Sequence, residues 1–510
     1  MLIRYCREMP AKTVRTNIAS GAIEGFTRDG VNRWRSIPYA KPPVGALRFK
    51  APQPVEPWAG VRPCHRFRYC APQPRRYTIV GPGKFQPTSE DCLTLNVVAP
   101  EGDFDRPLPV MFFIHGGAYF LGSSATPIYD GASLARSGCV YVSANYRLGA
   151  LGAVDLSSLS TDDIRIDDNL YLRDLVSALR WVRENIAAFG GDPDNVTIFG
   201  ESAGAHAVAT LLAVPAAEGL FAQAISQSPA GALSRSKELA AEFAVKFASI
   251  LGAKEKDGAR LLLAARPAHL VKAFDRLLTT SAADLPGGYP VGSTFGTDYL
   301  PLDPIQAMRE GKAYRVPLIV GTNADEGRLF TRFLKLLPTD EAKIERLLEG
   351  TEPTDRQRIT AAYPEYPAPA ACIRLGADFT FGSTLWQIAD SHSRHAPTYL
   401  YRYDFAPRTL QWSGLGATHA TELLAVFDVY RTHLGRLLSA GADRRSAMRV
   451  SDDMQERWVA FAHRGVPGDS WPRYTRDARA VMVLDRASRV ENDPHADRRQ
   501  AWEGFQVFAR

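Results

Sequence analysis

Ser202 lies in the stretch "NVTIFGESAGAHAV", residues 195 to 208, flanked at two positions on either side by Gly200 and Gly204 and preceded by a short apolar run. A serine hydroxyl is nearly inert at neutral pH. As a nucleophile it needs a base to take its proton, a third group to orient that base, and donors for the oxyanion that forms when a carbonyl is attacked. Its setting suits the task. Val196 to Phe199 predicts a buried strand, and a helix is predicted to begin near Ala203. The turn between them is so tight that side chains at 200 and 204 would collide, which lifts one hydroxyl clear of a sheet. An ordinary Gly/Ser loop could carry the same five letters, so the remaining groups must decide.

For the donors, "VMFFIHGGAYFLGS" runs a second buried strand into His115, Gly116, Gly117 and Ala118, where glycines let successive amides point at one ligand. For the orienting acid, "VPLIVGTNADEGRLF" ends a strand in Asp325, Glu326 and Gly327. Spacing does not choose between the two carboxylates. Six histidines lie downstream: His392, His395, His419, His433, His463 and His495. His392 and His395 have a metal-like spacing without further ligands nearby and are read as solvated helix or loop residues. In "GATHATELLAVFD", His419 sits in a Gly-flanked loop before an apolar helix, a context that suits a base presented from a loop. The other histidines stay open on these grounds.

The elements that must position these groups are legible as short apolar runs: "VMFFI" at 110–114, "CVYVSANY" at 139–146, "VTIF" at 196–199, "PLIVG" at 317–321 and "TYLYRY" at 398–403. Apolar character that is continuous and does not alternate predicts strands covered on both faces, as in a parallel sheet. Between the second and third runs, Leu172, Leu175, Val176, Leu179, Val182 and Ile186 recur at helical spacing before Gly190 and Gly191, which makes a β-α-β unit with a right-handed crossover. Helical patterns over about 234–280 and 338–390 are read as insertions around one sheet, since neither has strand signals enough for a core of its own. A further helix is predicted at "MQERWVAFAHRG".

Composition excludes several classes. With 510 residues, 45% of them hydrophobic and 23% charged, the chain reads as a soluble globular protein without extensive disorder, long enough for a large core. A net charge of +6 spread over interspersed Arg, Asp and Glu gives nucleic-acid binding no support. The start has no apolar run suited to a signal peptide, and nowhere do about 18 uninterrupted apolar residues occur, so a cytoplasmic protein without a membrane span is expected. The six cysteines (Cys6, Cys64, Cys70, Cys92, Cys139 and Cys372) show no close metal-ligand pairing.

Taken in order, "SEDCLTLNV", "HGGAYFLGS", "NYRLGALG", "FGGDPDNVTIFGESAGA", "GTNADEG" and "THATELLAVFD" resemble the type B carboxylesterase family, which includes para-nitrobenzyl esterases and the cholinesterases. The resemblance runs from "ASGAIEGF" near residue 19 to "WEGF" near the end. It implies an α/β-hydrolase fold: a mostly parallel twisted sheet with helices on both faces. The expected organisation is an N-terminal extension over 1–13 and one catalytic domain over 14–510 with the two helical insertions.

Carried onto the matching positions, the resemblance makes Ser202 the nucleophile, Glu326 the acid and His419 the base. The amides of Gly117, Ala118 and Ala203 form the oxyanion hole, with Gly116 shaping the loop. Glu201 is the buried acidic neighbour of the elbow, and Ser228 is expected to support Glu201. Cys70 and Cys92 match a pair that closes an early loop as a disulfide in many relatives. Neither metal nor organic cofactor is implied, and the expected partner is a small-molecule ester, the protein being monomer or homodimer. The loop between Cys70 and Cys92 holds no tryptophan, whereas cholinesterases carry there the ring that binds a quaternary ammonium, which argues against choline esters. His206 stands where relatives have a small or apolar residue and is expected to pack in its helix. Family members that act only as interaction proteins lack a triad residue; all three positions are occupied here.

Overall fold

The computed structural model describes residues 12–254, 257–284, 288–333 and 336–505. Of the expected N-terminal extension, residues 1–11 lie outside the described residues, and Lys12 already opens the first strand.

A thirteen-stranded sheet runs through the described residues. Its spatial order is Lys12–Ile18, Gly21–Arg28, Val31–Pro38, Thr94–Pro100, Val140–Ala144, Leu108–Ile114, Gly191–Glu201, Gln223–Gln227, Leu318–Asn323, Thr398–Tyr403, Ala480–Leu484 and Arg489–Asn492, with Val61–Pro63 added beside the second strand. From Val140–Ala144 to Ala480–Leu484 all neighbours are parallel. The flanking strands pair antiparallel, except Val61–Pro63, which pairs parallel with Gly21–Arg28. Each of the five apolar runs is a central strand.

Their continuous apolar character has a direct cause. On Leu108–Ile114, Val110, Phe112 and Ile114 enter one hydrophobic core while Met111 and Phe113 enter the other, on the opposite face. On Gly191–Glu201, Val196 and Ile198 face the first core and Phe199 the second. Alternation is still present, but both faces are dry.

Helix Leu170–Asn185 covers the first face with Leu172, Leu175, Val176, Leu179 and Val182. After a 3₁₀ turn, Gly190 at φ 81° ends it in the left-handed conformation that glycine adopts without penalty. Helix Arg444–Arg464 covers the second face with Val450, Met454, Trp458 and Phe461.

The first helical insertion contains Lys237–Ile250, Gly258–Ala264 and Pro267–Asp284, preceded by a short strand, Ser234–Ser236, that pairs with Ser293–Phe295. The second differs from expectation: Ile344, Leu348, Ile359, Tyr363, Leu375 and Phe379 form a small core of their own with Trp502 from the C-terminal segment. Helical spacing gathers these side chains on facing surfaces, so no strands are required. No helix among the described residues is long and apolar enough to cross a membrane.

Candidate active site

Ser202 follows the strand Gly191–Glu201 and caps the helix Ala203–Leu211 with φ 59° and ψ −123°. A non-glycine residue held there costs about 1–3 kcal/mol and persists only where its surroundings impose it. Here they do: the Ser202 amide donates to Gln227 O at 2.9 Å, and Ser202 O accepts from the His206 amide at 2.9 Å. A Cβ on Gly200 would lie 2.6 Å from Gly204 C, and one on Gly204 would lie 2.1 Å from Ile114 O, so the predicted collision is real on both sides. Ser202 is half-buried while the helix behind it is buried throughout.

The glycine loop lies directly against this turn. A Cβ on Gly116 would stand 2.7 Å from both Glu201 O and Glu201 Oε2 and 3.1 Å from Ser202 Cβ. Gly117 (φ 115°), Ala118 (φ 49°) and Tyr119 (φ 61°) follow in left-handed backbone. Among the described residues, no hydrogen bond uses the amide of Gly117, Ala118 or Ala203 as its donor. Gly117 and Ala118 are also half-buried, open on one side. Two of these amides follow the glycine that packs on Ser202, and the third belongs to the residue after Ser202.

His419 is buried, with Nδ1 2.5 Å from Glu326 Oε2. Glu326 Oε1 accepts from the Asn323 amide at 2.7 Å and from Ser228 Oγ at 2.5 Å. Asp325, the other carboxylate of "NADEG", turns away: it pairs with Arg328 at 2.8 Å and accepts from the Ala417 amide at 3.2 Å. Phe330 and Phe381 pack on the imidazole, with ring centroids 5.0 and 4.6 Å away. The other ring nitrogen, Nε2, reaches the elbow, 3.0 Å from Glu201 Oε1. Neither atom meets a hydrogen-bond partner among the described residues, so the contact acts through charge. Burial by itself disfavours the imidazolium, but Glu201 and Glu326 outweigh it and hold the His419 pKa well above its ordinary value.

Sequence reasoning missed Glu422, three residues after His419. It is fully buried, accepting from Asn323 Nδ2 at 2.6 Å and Gln227 Nε2 at 3.1 Å. Burial first, then the charges of Glu201 and Glu326, push its pKa up to about 8. The one signal was a carboxylate opening an apolar helix where a buried side chain is due.

Other expectations need correction. Ser228 supports Glu326 and not Glu201, because the end of its strand abuts Leu318–Asn323, which delivers Glu326. Cys70 and Cys92 are not joined: both are buried free thiols, and burial pushes Cys70 up to about 12 and Cys92 well above its ordinary value, away from the thiolate that disulfide exchange needs. His392 is buried, not solvated, and bonds Val316 O at 2.9 Å. His433 and His463 are exposed, and His495 lies 3.2 Å from Arg402. Among the described residues, no group of three or more His, Cys, Asp or Glu is spaced to hold a metal ion. A cavity of about 320 Å³ bounded by Glu326, Phe381, Leu385, Trp386 and Arg498 lies on the far side of the acid and includes neither Ser202 nor His419.

A serine at a strand-to-helix turn beside a glycine loop, with an imidazole and a carboxylate from later loops at the carboxyl ends of a parallel sheet, defines an α/β hydrolase of the serine type. A model of the Carboxylesterase family matches residues 10–502, and the chain belongs to that family. It is a serine carboxylesterase, a carboxylic ester hydrolase. It is 38% identical to the para-nitrobenzyl esterase of Bacillus subtilis (strain 168) over 94% of this chain and 96% of that protein. It is 34% identical to the fumonisin B1 esterase of Sphingopyxis macrogoltabida over 90% and 84% respectively. The solved structure of a thermophilic PNB esterase superposes with a TM-score of 0.85 at 36% identity, covering 96% of this chain and 99% of that one.

Proposed function

We propose that Ser202 is the nucleophile, His419 the base and Glu326 the acid, with the amides of Gly117, Ala118 and Ala203 as oxyanion donors. His419 Nε2 takes the Ser202 proton as Oγ attacks the ester carbonyl, and the three amides hold the oxyanion. The protonated His419 then gives its proton to the departing alcohol. Water, deprotonated in turn by His419, releases the acid from the acyl-enzyme. Glu326 fixes the imidazole with its proton on Nδ1 and offsets the imidazolium charge. Losing one oxyanion donor costs about 3 kcal/mol of transition-state stabilisation, so the amides weigh as much as the side chains.

The observations supporting this reading are the 2.5 Å contact of His419 and Glu326 and a glycine loop packed against Ser202, whose Gly117 and Ala118 amides, like that of Ala203, donate no hydrogen bond among the described residues. The substrate proposed is a small-molecule carboxylic ester, with a Gly-Gly-Ala loop roomy enough for bulky alcohols such as tert-butyl or nitrobenzyl. The single catalytic domain, proposed to include the strand that opens at Lys12, works as monomer or homodimer in the cytoplasm without metal or cofactor. Labelling with a fluorophosphonate tests the site: the intact mass should rise by one adduct in the wild type and stay unchanged in Ser202→Ala. Labelling of Ser202→Ala would refute the assignment. A panel of esters graded in acyl length and alcohol size, with one carbamate and one amide, tests the substrate class. Cleavage of ethyl acetate alone would end the bulky-alcohol proposal.

A further inference from the structure

The loop that carries Gly117 and Ala118 is connected to the helix that carries Ser202 by a buried side-chain hydrogen bond. The Tyr119 hydroxyl and His206 Nδ1 are 2.8 Å apart. Tyr119 directly follows Ala118; His206 lies one turn into the helix, and both side chains are buried. Beyond His206 the chain of contacts continues: Nε2 lies 2.9 Å from Ser234 Oγ, which lies 2.8 Å from Ser293 Oγ. The imidazole is therefore held at both nitrogens, and its ring plane is set by the short strand pair at the start of the first insertion.

Among the described residues, the backbone of the loop makes no such link. Phe120 N and Leu121 N both donate to Gly117 O, within the loop, and Gly149 N donates to Tyr119 O from a different segment. Yet two successive non-glycine residues, Ala118 and Tyr119, sit in left-handed backbone, a conformation that persists only under outside restraint. We propose that His206 is a positioning residue: through Tyr119 it holds the Gly117 and Ala118 amides in register with Ser202 and Ala203. This rests on reading those amides as oxyanion donors.

The choice of histidine follows from the two partners. A neutral imidazole donates from one nitrogen and accepts at the other, so it can serve a phenol and a serine hydroxyl at once. Burial, with the nearby Arg235 charge, pushes its pKa down to about 3, so it stays neutral wherever the enzyme works. Its far side borders a cavity of about 460 Å³ shared with Ser234, Thr384 and Gln387, so a shorter side chain at 206 meets space, not a clash.

The test uses His206→Leu, Tyr119→Phe, the double variant and His206→Asn, whose amide keeps a polar atom near the place of Nδ1. Turnover is expressed per active site titrated with a fluorophosphonate, which removes any misfolded fraction. An aryl trifluoromethyl ketone, whose adduct with Ser202 carries the oxyanion, is titrated alongside. Misplacement of about 1 Å at a reacting centre costs on the order of 100-fold, and a loosened loop should lose about 10- to 100-fold in kcat with KM nearly unchanged. Ketone affinity should fall by the same factor, the double variant should lose no more than either single one, and His206→Asn should recover most of the loss. The inference is overturned if kcat per active site stays within about 2-fold in Tyr119→Phe, which removes one oxygen only, or if the single losses multiply. If instead Ser202→Ala keeps its turnover, the oxyanion-site reading falls first and the positioning role with it.

Discussion

Glu326 meets His419 with one carboxylate oxygen and is itself held by the other: Oε2 lies 2.5 Å from His419 Nδ1, while Oε1 accepts from Ser228 Oγ and the Asn323 amide. The acid is thus fixed from behind by the Ser228 hydroxyl and by the backbone and side-chain amides of Asn323 before it fixes the base. An acceptor at Nδ1 selects the tautomer in which Nε2 carries the lone pair toward the elbow.

Replacing that acceptor should be severe. In Glu326→Gln the amide can turn its NH₂ toward Nδ1 and stabilise the wrong tautomer, and kcat should fall about 10⁴-fold with little change in KM. In Ser228→Ala the carboxylate keeps the Asn323 amide and loses one donor, so a loss of about 10-fold is expected, the range of one hydrogen bond to a charged group. Steady-state kinetics on a nitrophenyl ester checks both; equal losses would mean that Ser228 does more than hold Glu326.

Glu201 should set the acid limb of the pH profile. Burial lowers the His419 pKa, and Glu201 with Glu326 raises it further than burial lowers it, to well above the ordinary imidazole value. The base must be neutral, so kcat/KM falls as pH drops through that raised value. In Glu201→Gln, with the charge 3.0 Å from Nε2 removed, the acid limb should move to lower pH. An acid limb that stays in place on an uncharged ester would contradict a role for Glu201 in holding the imidazolium.

Glu422 should make stability fall with rising pH. Its folded pKa is raised to about 8, against about 4.3 for an unfolded glutamate. A raised folded value means a contribution present below the unfolded pKa and lost as pH climbs through the folded one. Between about pH 5 and 9 the melting temperature of the wild type should therefore drop relative to Glu422→Gln. Parallel melting curves for the two proteins across that range would show that Glu422 does not titrate in the fold.

Two glycines should fail in different ways. A Cβ at Gly204 meets backbone, 2.1 Å from Ile114 O, so Gly204→Ala should destabilise the protein by more than about 2 kcal/mol and lower its melting temperature. At Gly116 the methyl would press on Glu201 and Ser202, at the surface of the site. Gly116→Ala should also lower the melting temperature, because its methyl meets backbone too, 2.7 Å from Glu201 O, and in addition should lose about 100-fold in kcat/KM per titrated active site, whereas Gly204→Ala should lose stability alone. Differential scanning calorimetry beside kinetics separates the two outcomes.

Much of this architecture was legible because it is local. The five apolar runs marked the central strands, since a segment dry on both faces must be apolar at consecutive positions. The elbow was legible for a similar reason: Gly200 and Gly204 bracket Ser202 because no other residue fits there, and three positions of sequence record that constraint. The resemblance to a family then singled out Glu326 and His419 where spacing left Asp325 and five other histidines open.

What only the tertiary structure decided is who meets whom across the sheet. Ser228 bonds Glu326 from 98 residues away, Gln227 reaches Glu422 over 195, and Tyr119 finds His206 over 87. Hydrophobic period and turn chemistry arise between near neighbours, so they are written along the chain. A buried hydroxyl or carboxylate takes whichever partner the packing of distant strands places within reach, and its own neighbours in sequence carry no record of that choice.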